Sequence, residues 1–257
     1  MASGKGGTGK STTTVNLGTA LALLGKDTII IDADIGMANI ALLLGLEKSQ
    51  VTLHEVLSGT ANVSEAVYEG PGGVKVVPCG ISLQGFQNSD PEKLQEVMVD
   101  LVEGRDFILI DAPAGISKDG VIPLAIADQV LLVVNPELSS MADALKTKVL
   151  TEMLGGNIGG ALLNRAGLER TEINKQKVAE LLGVTVLEMI PEDANIRRSA
   201  AFKMPIVIKS PTSPAAVAYK RLASQFTGTS FIEPDNGSEE PTEGFVGRLT
   251  KVLFGAK

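Results

Sequence analysis

Gly4-Lys5-Gly6-Gly7-Thr8-Gly9-Lys10-Ser11, followed directly by the helix-forming run Thr12–Leu24, is the stretch on which the reading of this chain turns. Its spacing is G-x-x-x-x-G-K-S, the pattern of a phosphate-binding loop. Glycines let successive backbone N–H groups turn inward around an anion, which side chains would obstruct. Lys10 is placed to reach β- and γ-phosphates, and the Ser11 hydroxyl to ligate Mg²⁺. The helix behind the loop points its positive end at the same anion.

Outward from the loop, short β-branched runs alternate with longer helical patterns. The runs predict strands at Thr28–Ile31, Val74–Val77, Phe107–Ile110, Val130–Val134, Ile158–Leu163, Val184–Ile190 and Ile206–Ile208. Between them the pattern predicts helices at Lys10–Leu24, Pro91–Val102, Ser139–Leu154, Thr171–Leu182 and Pro214–Phe226. Near-continuous apolar strands separated by helices imply an α/β fold, a doubly wound and mostly parallel sheet buried on both faces. One such domain is expected over residues 1–227.

Two strand ends carry acids. Phe107-Ile108-Leu109-Ile110-Asp111 puts a carboxylate at the sheet's C-terminal edge, where open α/β sheets bind ligands, suited to hold a water on Mg²⁺. The turn Ala112-Pro113-Ala114-Gly115 follows it as a candidate γ-phosphate sensor. Ile31-Asp32-Ala33-Asp34 repeats the pattern. Either acid alone could be an ordinary turn residue; the phosphate loop gives the pair its meaning.

Together these residues resemble the MinD/ParA family of P-loop ATPases, over nearly the whole chain. The resemblance rests on Lys5 inside KGGTGKS, a deviant Walker A motif, on Asp32-Ala33-Asp34 with Asn39, and on Asp111–Gly115. Asn164-Arg165 and Ile190-Pro191-Glu192-Asp193 extend it. It implies a Mg²⁺-dependent ATPase that forms a homodimer on binding ATP, with Lys5 reaching the partner's phosphates. It assigns Lys5, Lys10, Asp34 and Asp111 to catalysis, Asp34 positioning the attacking water, and Ser11, Asp34 and Asp111 to the metal. ATP binding falls to Gly4 through Thr12, with Asn164 and Arg165 at the adenine edge and Pro191, Glu192 and Asp193 along the base pocket. A cation supplied in trans would couple ATP binding to association.

One departure stands out: only Met1, Ala2 and Ser3 precede Gly4. The strand that feeds the loop is stunted, so neighbouring backbone groups should be underpaired and core surface left uncovered. The expectation is a natural start a few residues upstream, or a truncated chain.

Past Thr227 the composition changes. Residues 228–244 hold Pro234, Pro241 and five acids against few bulky apolar side chains, the make-up of a flexible acidic tether. Residues 245–257 then form an amphipathic pattern. Phe245, Val246, Leu249, Val252 and Leu253 fall within an arc of about 120° on a helical wheel, with Arg248 and Lys251 to one side, and Phe254 follows as a further membrane-contacting residue. That is the chemistry of a helix lying on an anionic membrane surface, and it also resembles the family's membrane-targeting tail. Each inserted apolar side chain contributes ~1–3 kcal/mol, while ordering costs roughly 1 kcal/mol or more per residue. One tail therefore binds marginally, and two on a dimer gain ~10²–10⁴-fold in avidity.

The remaining composition narrows the alternatives. The chain has 257 residues and a net charge of −7, which argues against nucleic-acid partners such as those of DNA-partition ATPases. The single Cys79 cannot form an internal disulfide or a CxxC cluster, which disfavours an iron–sulfur scaffold and favours a reducing cytosol. The single His54 reads as a surface or satisfied helix residue. No apolar run reaches membrane-span length and the start lacks the pattern of a signal peptide. The expected output is a cytoplasmic ATPase, reversibly peripheral on the inner membrane face, that positions septum-site machinery with regulatory protein partners. Placement of motility or chemosensory machinery would use the same parts.

Overall fold

A computed structural model of the chain describes residues 1–115, 118–167 and 173–233. The predicted tail at 245–257 and most of the tether lie outside the described residues, as does the predicted start of a helix at Thr171.

Four strands pair in the order β2 (Tyr68–Glu69), β3 (Lys75–Val77), β1 (Thr28–Asp32) and β4 (Phe107–Asp111). Three more follow the order β5 (Val130–Val134), β6 (Ile158–Ala166) and β7 (Val186–Pro191). All neighbours are parallel except β2 with β3. β1 and β5 are buried at every position, as a sheet covered on both faces requires.

Met1–Ser3 join the two sets. The Met1 nitrogen donates to Ile110 O (2.6 Å) and the Ala112 and Gly115 amides donate to Met1 O and Ser3 O. On the other side Ala2 N donates to Leu131 O (2.9 Å) and Ala2 O accepts from Val133 N (2.8 Å). The short segment thus lies as a strand between β4 and β5, reduced to one bridge. Below it a cleft of about 930 Å³ opens between the two strands, walled by Met98, Val102, Phe107, Leu109, Val130 and Leu131.

Helices cover both faces. α1 (Lys10–Leu23) packs against α11 (Pro214–Thr227), where the Tyr219 hydroxyl meets Thr13 Oγ1 at 3.3 Å. α2 (Ile40–Leu44), α3 (Leu53–Ser58), α4 (Leu83–Asn88), α5 (Leu94–Val102) and α6 (Lys118–Ile126) were not separately resolved in the sequence, apart from α5 within Pro91–Val102. α7 (Leu138–Met153), α8 (Lys175–Leu182) and α9 (Ala194–Ala201) complete the set before α10. No described helix is long and apolar enough to cross a membrane.

One predicted strand is a helix. Ile206–Ile208 lies in α10 (Ile206–Lys209), because Pro205 starts the turn and Asn16 Oδ1 accepts from Ile206 N (2.8 Å). A side-chain cap supplied from α1, 190 residues away, outweighs the β preference of three branched residues. Thr229–Glu233 also depart from a free tether: Glu233 pairs with Arg221, whose guanidinium sits 5.6 Å from the Phe231 ring centre.

Candidate active site at the phosphate loop

The loop from Gly4 to Ser11 runs from the short central strand into α1. Gly7 (φ 79°) and Gly9 (φ 90°) adopt the left-handed conformation that glycine accepts without strain. Gly6 and Gly7 face open space, whereas a Cβ on Gly9 would stand 2.2 Å from Asn164 Nδ2. Gly4 is confined as well, its notional Cβ 2.2 Å from the Asp143 backbone. The glycines therefore serve two ends, an open concave cradle and close packing beneath it.

Lys10 is nearly fully buried and its Nζ lies 3.0 Å from Asp111 Oδ1. Thr14 Oγ1 donates to the same oxygen (3.2 Å). Asp111 Oδ2 is buried and has no partner. A buried carboxylate oxygen left unsatisfied costs free energy, and a hydrated divalent cation is the natural complement to it. With a hydroxyl at Ser11 one residue past the lysine, the donor set is hard oxygen, which fits Mg²⁺.

Asp32 ends β1 beside Asp111 and is fully buried. Its carboxylate accepts from Asp34 N (3.3 Å), Asn39 N (3.1 Å) and Ile40 N (3.0 Å), so it fastens the loop that carries Asp34. Burial, and then the Asp111 charge, push the Asp32 pKa well above the usual carboxylate range, against the pull of Ile40 N–H and Lys10. Asp34 is half-buried, and burial raises its pKa too, with Lys10 the main opposing influence. Three carboxylates and one buried lysine thus surround the cradle. The sequence identified Asp34, Asp111 and Lys10 as chemistry; the fastening role of Asp32 it did not reveal.

Lys5 points away from this pair. Its Nζ lies 2.9 Å from Glu137 Oε2 and 3.2 Å from Ser139 Oγ, at the start of α7. Neither partner was singled out in the sequence, which holds no local signal for a contact spanning 132 residues.

At the opposite rim Asn164 Nδ2 donates to Thr8 O (2.6 Å), bracing the loop from β6. Arg165 has a positive φ (56°), with its Nε 3.8 Å from Glu192. Glu192 N in turn donates to Ala166 O (3.0 Å), tying the ends of β6 and β7 together. The Asp193 carboxylate is engaged structurally, accepting from Asn195 N (2.8 Å) to cap α9 and from Ala215 N (3.3 Å) at the start of α11. Beside this rim a cavity of about 900 Å³ is lined by Ala166, Pro191, Pro214 and Val217 and by the charged Glu188, Arg221 and Glu233, a mixed wall. Cys79 is buried, which pushes its thiol pKa strongly upward, as for an inert structural cysteine.

The model of the CobQ/CobB/MinD/ParA nucleotide-binding domain matches residues 1–206. An uncharacterised ATP-binding protein of Methanocaldococcus jannaschii is 44% identical over 257 residues, covering 100% of this chain and 96% of that protein. Among solved structures, the cell division ATPase MinD of Pyrococcus furiosus is similar with a TM-score of 0.86 at 38% identity, over 89% of this chain and 97% of that one. The septum site-determining protein MinD of Pyrococcus horikoshii, solved with Mg-ADP, has a TM-score of 0.84 at 36% identity, over 87% of this chain and 93% of that one.

Proposed function

The chain belongs to the CobQ/CobB/MinD/ParA nucleotide-binding family, and from that premise we propose that it is a membrane-cycling ATPase that positions septum-site machinery. The observation that carries the enzymatic reading is the buried Lys10–Asp111 pair, with Asp111 Oδ2 unpartnered, under a glycine cradle. Lys10 exchanges Asp111 for the β- and γ-phosphates of ATP as the nucleotide enters. Ser11 and Asp111, with Asp34 beside them, would hold Mg²⁺, which supplies charge neutralisation at the phosphate oxygens. Asp34 orients the water that attacks the γ-phosphorus. The cavity beside Pro191 takes the base, with Asn164 and Arg165 at its edge.

Lys5 would act across a dimer. Its present partner Glu137 is more than half exposed, and such surface pairs contribute only ~0–1 kcal/mol. Lys5 can therefore leave Glu137 for a partner's phosphates at little cost. ATP then assembles the dimer, the dimer presents two copies of the 245–257 tail, and avidity holds it on an anionic membrane. Hydrolysis separates the protomers and releases them, and a regulatory protein partner that speeds hydrolysis would set the cycle time.

Sedimentation with anionic liposomes tests the cycle. Binding is expected with ATP, and it should fall to background with ADP, in a Lys10→Ala variant, and after deletion beyond Gly244. Equal binding with ADP and ATP would overturn the switch. Septum positioning is tested separately, by whether loss of the protein displaces division sites.

A further inference from the structure

His54 lies on α3 and is only 2% exposed. Of the two expectations, a surface or a satisfied helix residue, the surface one does not hold: the ring is buried on the helix and hydrogen-bonded through Nε2. Its Nε2 stands 3.2 Å from the carbonyl oxygen of Ile35. A carbonyl can only accept, so Nε2 carries the hydrogen in this contact. Nδ1 has no partner, and two glycines press against it. A Cβ on Gly85 would come within 2.5 Å of Nδ1, and one on Gly80 within 2.7 Å. The ring is therefore wedged under α4, its one hydrogen bond aimed at the residue that follows Asp34.

The loop carrying Asp34 is held from several sides, and Ala33 N donates to Asp111 O at its start (3.0 Å). Asp32 fastens it at Asp34 N and again at Asn39 N and Ile40 N, and the Asp34 carboxylate accepts from Met37 N at 3.2 Å. Between these points Met37 is 76% exposed. From the core side the Ile35 side chain is buried in the cluster with Leu53, Val56 and Cys79, and His54 adds a hydrogen bond to its carbonyl.

We infer that His54 is a positioning residue for ATP hydrolysis, its Nε2–H holding the Ile35 carbonyl so that Asp34 faces the attacking water. The inference rests on the role given to Asp34 above. The Ile35 carbonyl lies in the peptide to Gly36, so releasing it loosens the turn that carries Asp34, and a misplacement of about 1 Å at a reacting group costs ~10²-fold in rate. A ring that merely filled the core would affect stability and leave turnover alone.

Four variants of the full-length chain decide it: Asp34→Ala, His54→Leu, His54→Gln and Gly85→Ala. Each is measured for kcat at saturating Mg-ATP, for dissociation of a fluorescent ATP analogue, and for thermal midpoint. His54→Leu fills similar space without the donor, whereas the Gln side-chain amide reaches the position of Nε2. The expected result is a kcat loss of roughly 10- to 100-fold in His54→Leu with nucleotide affinity within about threefold. His54→Gln should recover most of that rate while remaining as thermally weakened as His54→Leu. Gly85→Ala keeps the donor but displaces the ring, so it should also lower kcat, and it serves if His54→Leu does not fold. Unchanged kcat in His54→Leu, or equal losses in the Leu and Gln variants, overturns the inference. If neither His54→Leu nor Gly85→Ala changes kcat while Asp34→Ala abolishes it, the positioning role alone fails. If Asp34→Ala turns over normally, the reading of Asp34 fails.

Discussion

Lys5 Nζ and Glu137 Oε2 form an ion pair of 2.9 Å between the phosphate loop and the first turn of α7. The pair holds within one protomer the cation that the dimer reading assigns to the other protomer's phosphates. Lys5→Ala should keep ATP binding within a few-fold and lose the ATP-dependent dimer. Glu137→Gln frees Lys5 in both protomers and should strengthen that dimer by no more than about thirtyfold, since each of the two pairs contributes ~0–1 kcal/mol. Analytical ultracentrifugation with ATP and with ADP reads both; an intact ATP dimer in Lys5→Ala would remove Lys5 from the interface.

The Lys10–Asp111 pair is a different case, because both groups are buried. Removing one partner leaves a charge stranded, at a cost of ~3–5 kcal/mol. Lys10→Met should therefore lower stability sharply, and Lys10→Met/Asp111→Asn should regain much of it while both lack hydrolysis. Urea unfolding of the three proteins without nucleotide checks this. A double variant weaker than Lys10→Met would mean that the pair is not the source of the cost.

Gly9 meets two demands at once, a left-handed φ of 90° and a Cβ position 2.2 Å from Asn164 Nδ2. Gly9→Ala should abolish nucleotide binding. Adding Asn164→Ala clears the space but not the backbone strain, of order 1–2 kcal/mol, so the double variant should recover binding only partly. Titration with a fluorescent ATP analogue measures both steps, and full recovery would show that crowding alone was at fault.

Asp32 predicts a pH dependence. Its folded pKa is raised mainly by burial, so the folded state holds the proton more tightly than the unfolded chain does, where aspartate titrates near 3.9. The contribution is fully present below about pH 4 and is lost as pH rises through the folded value. In nucleotide-free protein the thermal midpoint should therefore fall more steeply with pH above about 5 in the wild type than in Asp32→Asn. Parallel pH profiles of the two proteins would contradict the assignment.

Much of this molecule was legible along the chain because the signals are local. Runs such as Ile29–Ile31 and Val130–Val134 are apolar throughout, and a strand buried on both faces needs that composition. Asp32 and Asp111 were readable as strand-end acids, and they stand opposite each other in register. What failed had its cause elsewhere in the sequence. Ile206–Ile208 reads as a strand until Asn16 caps it, and His54 reads as unremarkable until Gly80 and Gly85 close over it.

The sequence by itself determined the phosphate loop, the parallel α/β layering and the acids that face the loop. Each depends on residue type at fixed spacing, which the backbone converts directly into geometry. Only the tertiary structure decided that Lys5 rests on Glu137, that Asn164 braces Thr8, and that Ala2 alone bridges β5 on behalf of a central strand. Those contacts join residues more than a hundred positions apart. Their partners are chosen by packing, and packing leaves no periodic trace in the chain.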